Sequence, residues 1–103
     1  MILAQLQQNK VKQALANNGV VFAALFGSQA REEATDTSDV DILVKFQKGQ
    51  TPSFFQLDDF EEELKKLIGK KIDLVTVNSL SPYLRDEILQ SMQIFYEKQP
   101  SVS

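Results

Sequence analysis

The sequence predicts an α/β layer fold in one domain spanning residues 1–103. Three observations carry that prediction. Apolar residues at helical spacing alternate along the chain with short runs rich in β-branched and aromatic residues. Glycines punctuate the segments at Gly19, Gly27 and Gly69. No linker is long enough to divide the chain, and no internal repeat is visible. The expected order of elements is α-β-(α)-β-α-β-α.

Each element has its own local reason. Ile2, Leu6, Val11, Ala14 and Leu15 fall close to helical spacing and predict one helix over residues 2–17. Asn17-Asn18-Gly19 ends it, with Gly19 suited to the left-handed C′ position. VVFAALF, residues 20–26, is a continuous apolar run that reads as a strand buried on both faces. Gly27 stops it. Residues 28–34 are compatible with a short helix, and ATDTS, residues 34–38, is polar and loop-like. DVDILVKF, residues 39–46, reads as the second strand.

Ser53, with Gln56 three residues on, has the capping-box form and opens a helix. Leu57, Phe60, Leu64, Leu67 and Ile68 line one face of that helix, and Gly69 closes it. KIDLVTV, residues 71–77, is the third strand. Ser81-Pro82 opens a last helix, with Leu84, Ile88 and Met92 on one side. IFY, residues 94–96, is too short to assign by pattern. Residues 98–103 are expected to form a flexible tail.

Composition narrows the chemistry. The chain is 43% apolar and 24% charged, ordinary for a globular protein. It has no cysteine, which excludes disulfides, thiol catalysis and thiolate metal sites and fits a cytoplasmic location. It has no histidine, which removes the commonest general base and the usual zinc ligands. Any metal must therefore be a hard cation held by oxygen. The net charge of −3 and the scattered basic residues disfavour long nucleic acid as a partner. The N-terminal stretch MILAQLQQNKVKQ reads as neither signal peptide nor membrane span.

Against that background, the acids stand out. Alternation on a strand puts Asp39 and Asp41 on one face, with Val40 and Ile42 on the other. Two such carboxylates repel by about 4 kcal/mol at 4 Å and an effective dielectric near 20. A solvated strand end tolerates that repulsion, and so does a bound cation. Asp73 interrupts an apolar strand, where aspartate is disfavoured. If its strand lies beside residues 39–46, Asp73 shares the face of Asp39 and Asp41. With no histidine present, magnesium or manganese suits such a group.

Gly27-Ser28 forms a turn that can grip phosphate. Glycine lets backbone approach a ligand closely, and free N–H groups at a helix start attract anions. Arg31 adds a cation three residues on. Taken alone, this segment is better read as an ordinary strand-helix turn with Ser28 as N-cap. Taken together, the turn and the three acids suit one chemistry. Two metal ions would neutralise a nucleoside triphosphate and activate an attacking hydroxyl, with pyrophosphate leaving.

GSQAREEATDTSDVDILV resembles the GS-x-AR…SD-x-D motif of the minimal nucleotidyltransferases, within the DNA polymerase β-like superfamily. KKIDLVTV resembles that family's third acidic strand, and the likeness runs over most of residues 10–97. The resemblance implies a small mixed sheet flanked by helices and nucleotidyl transfer from ATP. It implies that Asp39 and Asp41 ligate Mg2+, and that Asp73 ligates one ion and helps deprotonate the acceptor. It implies that Gly27 and Ser28 hold the triphosphate, with Arg31 matching the family's arginine and Ser38 shaping the turn. Glu32 departs from the glycine that many members have there.

The family likeness also implies a partner. Small members are often encoded beside a HEPN-domain protein and act as its antitoxin, by transferring AMP to a tyrosine or by binding alone. A small-molecule nucleotidyltransferase, with its substrate at a dimer interface, is the third reading.

Overall fold

The computed structural model describes residues 2–27 and 39–98. Its centre is a four-stranded sheet in the order β3-β2-β1-β4. The strands are β1 (Val20–Phe26), β2 (Val40–Phe46), β3 (Ile72–Thr76) and β4 (Gln93–Glu97). β1 runs antiparallel to both β2 and β4, whereas β2 and β3 are parallel. The sheet is therefore mixed, as the family likeness implies. A parallel pair cannot be joined by a hairpin, so the chain between β2 and β3 makes a crossover through a helix.

That helix is α3 (Phe54–Ile68). Ser53 caps it through a complete capping box: the Ser53 N–H donates to Gln56 Oε1 at 2.9 Å, and the Gln56 N–H donates to Ser53 Oγ at 3.3 Å. At the other end Gly69 takes φ +80° and donates its N–H to the Lys65 carbonyl at 2.7 Å. Phe60, Leu64 and Ile68 are its buried stripe.

The N-terminal segment forms two helices where one was expected, α1 (Ile2–Leu6) and α2 (Asn9–Asn17). Gln8 breaks the run by taking extended backbone at φ −65°, ψ 148°. The spacing explains the break. Leu6 and Val11 are both fully buried, yet residues five apart on a continuous helix differ by about 140°. The turn brings both onto the core.

One face of the sheet carries that core. Val40, Ile42 and Val44 of β2 join Ala23 and Leu25 of β1, Ile72 and Leu74 of β3, and Phe95 of β4. Leu6, Val11, Leu15, Phe60 and Leu64 from the helices close over them. On the other parity of β1, Ala24 is fully buried but Phe22 and Phe26 are half-buried, so that face is enclosed only in part.

Three further expectations change. The IFY segment is part of β4, paired to β1 with a register shift between Ala23 and Ala24. That shift puts Phe95 in the core and leaves Ile94 exposed. β3 ends at Thr76 and gives way to a 3-10 turn over Val77–Ser79. The last helix, α4 (Pro82–Ser91), is capped by Ser81 as expected but contributes no buried residue; Leu84 is exposed, and Met92 lies past its end in extended backbone. The short helix expected over 28–34, the loop over 34–38 and residues 99–103 of the expected tail lie outside the described residues. Among the described residues, no helix is long and apolar enough to cross a membrane.

Candidate active site

Register places the acids. Asp41 on β2 is the direct partner of Asp73 on β3, and Phe26 is the partner of Asp41 on β1. Partners on adjacent strands point to the same side of a sheet and lie about 4.8 Å apart. Asp41 and Asp73 therefore stand side by side on the face opposite the helix-covered core. Asp39 precedes β2 by one residue and shares their parity. Further along that face Ala24 and Leu43 are fully buried, so the charges gather at one end of the two parallel strands.

Electrostatics reports the crowding. The Asp41 carboxyl is pushed above its ordinary value, chiefly by partial burial, then by the charges of Asp73 and Asp39. Asp39 is turned toward Lys71, with its Oδ2 3.9 Å from Nζ. The Val40 N–H donates to the Lys71 carbonyl at 2.9 Å, which fixes the two backbones beside each other.

Gly27 ends β1 with φ +74°. A β-carbon built there would land on Asp41 Oδ2 and lie 3.3 Å from Asp41 Cγ. The Asp41 carboxylate is packed against the bare Cα of Gly27, so two of the sequence-predicted site residues are in direct apposition. Ser28, Arg31, Glu32 and Ser38 lie outside the described residues.

The three carboxylates form a donor set suited to a hard divalent ion: all oxygen, anionic, and mutually destabilising without a cation. In the present side-chain arrangement, no group of three or more such ligands among the described residues encloses a single ion. Asp39 faces Lys71 and Asp41 faces Gly27, which accounts for the open arrangement. Asp39 and Asp73 are exposed and Asp41 is half-buried, all on the same backbone register.

Two supporting residues escaped the sequence reading. Lys71 sits two residues before Asp73, so strand parity alone puts it on the acidic face. Glu61 of α3 accepts the Leu74 N–H at 3.3 Å and ties the helix to the edge of β3 beside Asp73. No sequence signal distinguishes Glu61 from its acidic neighbours on α3.

A mixed sheet with paired acids at the end of two parallel strands, and a glycine turn against one of them, defines a nucleotidyl-transfer domain. Residues 9–101 match the family model described as Polymerase beta, Nucleotidyltransferase, and the chain belongs to that family. A provisionally named protein adenylyltransferase of Methanocaldococcus jannaschii is 43% identical over 82 residues, covering 80% of this chain and 86% of the relative. The protein adenylyltransferase MntA of Thermococcus cleftensis is 39% identical over 74 residues, covering 72% and 73%. Among solved structures, a provisionally assigned minimal nucleotidyltransferase is similar with a TM-score of 0.73 at 34% identity, covering 89% of this chain and 94% of the other. A chain of a toxin-antitoxin complex with AMP-PNP has the same fold, with a TM-score of 0.73 at 24% identity over 88% and 73% of the two chains.

Proposed function

We propose that this chain transfers AMP from ATP to a tyrosine hydroxyl of a HEPN-domain partner and so acts as that partner's antitoxin. The observation that carries the reading is the in-register pair Asp41–Asp73, with Asp41 against Gly27. Protein adenylyltransferase is the name borne by relatives at 43% and 39% identity. One chain of the same fold, at 24% identity, comes from a tri-AMPylated Shewanella oneidensis HEPN toxin bound to its MNT antitoxin.

In this reading Asp39, Asp41 and Asp73 hold Mg2+, or Mn2+ in its place. When bound there, such ions would neutralise the triphosphate and favour ionisation of the acceptor hydroxyl. Gly27 and Ser28 present backbone N–H groups and a hydroxyl to the phosphates, and Arg31 adds positive charge. The acceptor oxygen bonds to the α-phosphorus, the bond to the bridging oxygen breaks, and pyrophosphate leaves. Asp73, on the outer strand, accepts the hydroxyl proton. The reaction takes place in the cytoplasm, where ATP and Mg2+ are available.

The test incubates the chain with a HEPN-domain protein as candidate partner, Mg2+ and α-labelled ATP. Label is expected on the partner, and Asp41→Asn and Asp73→Asn are each expected to abolish it. An unlabelled partner that both variants still neutralise identifies binding as the whole of the antitoxin action. Label on an aminoglycoside-type hydroxyl compound without partner identifies a small-molecule enzyme.

A further inference from the structure

We propose that Lys71 is a placeholder cation for Asp39: its ammonium compensates the carboxylate while no nucleotide is bound, and a divalent ion displaces it. The inference rests on the metal-binding reading of Asp39, Asp41 and Asp73.

The sheet itself sets up the contact. Val40 pairs with Ile72, and the Val40 N–H is bonded to the Lys71 carbonyl. Asp39 and Lys71 are therefore neighbours across the parallel ladder, one step outside its first pair. By strand parity, Lys71 points to the same face as Asp73. Among the described residues, three carboxylates then share that face with the Lys71 ammonium, which lies against Asp39.

The strength of the contact suits a placeholder better than a brace. The distance is 3.9 Å, and the side chains are 71% and 48% exposed. An exposed pair of that length adds little to stability. It is weak enough for a divalent ion to displace, and it relieves part of the repulsion within the acidic group. Lysine suits the task because its ammonium is a point charge on a flexible stem, free to swing away.

Mn2+ binding to the nucleotide-free protein, followed by electron paramagnetic resonance, tests the proposal without reference to turnover. Removing the competing ammonium in Lys71→Met should tighten Mn2+ binding by about two- to fivefold. Lys71→Arg, which keeps the charge, should bind as the wild type does. In an Asp39→Asn background, Lys71→Met should have no effect, because the coupling runs through that carboxylate. Unchanged affinity in Lys71→Met overturns the role of Lys71 alone, as does an equal gain in the Asp39→Asn background. If the wild-type chain binds no Mn2+, the metal site falls and the placeholder with it.

Discussion

The carboxylate of Asp41 occupies the space that a β-carbon on Gly27 would fill. This relationship joins the end of β1 to the start of β2 and gives Gly27 two separate reasons to be glycine. Its φ of +74° lies in the left-handed region, and its missing side chain makes room for an acid. Gly27→Ala incurs both costs. The variant should lose about 1 kcal/mol or more of stability, from the left-handed strain alone. It should also lose at least tenfold in transfer to the partner, because Asp41 is displaced. Thermal unfolding and the labelled-ATP assay measure the two separately. Transfer at wild-type rate would show that the apposition does not matter to the site.

Asp41 is held in an unfavourable ionisation state, and the sign of its pH dependence follows. Its folded value lies above the ordinary 3.8, so between those two values the folded chain binds more protons than the unfolded chain. Stability therefore falls as pH rises through that window, and the full cost persists at pH 7. Asp41→Asn should raise the melting temperature at pH 7, and the gain should vanish below about pH 4. Because the group is partly solvated, the gain should stay within about 0.5 kcal/mol. The same substitution should abolish transfer. A variant that is more stable yet inactive is the mark of a site that trades stability for function.

Divalent cation should reverse that cost. Millimolar Mg2+ should raise the melting temperature of the wild-type chain at pH 7 by mass action and leave Asp41→Asn and Asp73→Asn almost unmoved. Differential scanning calorimetry at fixed ionic strength decides the matter. An equal shift in all three proteins would assign the effect to general screening.

The capping box on α3 acts on the fold and not on the chemistry. Ser53→Ala removes the side-chain acceptor for the Gln56 N–H and should cost about 1 kcal/mol. In a domain of this size, that lowers the melting temperature by about 4–8 °C. Transfer at a temperature where the variant remains folded should be unchanged.

The core beneath the site can be softened independently. Ile42 is fully buried, on the face of β2 opposite its neighbour Asp41. Ile42→Val should cost about 0.5–1.5 kcal/mol in urea unfolding. The rate of transfer should hold, since backbone register fixes Asp41 against Asp73. A parallel loss of activity would mean that core packing sets the carboxylate positions.

Local sequence determined a great deal of this protein. Ser53 with Gln56, Gly69 and Ser81 with Pro82 mark helix ends by short-range bonding, and these are where the structure has them. Alternation within residues 39–46 put Asp39 and Asp41 on one face before any fold was known. Neighbouring information also limited the reading. The strand at Gln93–Glu97 is short and gains its identity only by pairing with β1. The break at Gln8 follows from burying Leu6 and Val11 together, which is a demand of the core and not of the segment. α4 has an amphipathic pattern, yet the chain's own core takes up none of its side chains fully.

The decisive contacts at the site are long-range. Sequence supplied three acids and a glycine as residue types suited to holding metal and phosphate. Only the parallel pairing of β2 with β3 brings Asp73 beside Asp41 across more than thirty residues. Only the antiparallel turn of β1 onto β2 lays Asp41 on Gly27, and only the ladder aligns Lys71 with Asp39. Side-chain chemistry is a property of the residue, and local spacing can display it. Proximity between strands is a property of register, which the whole sheet and its core select together.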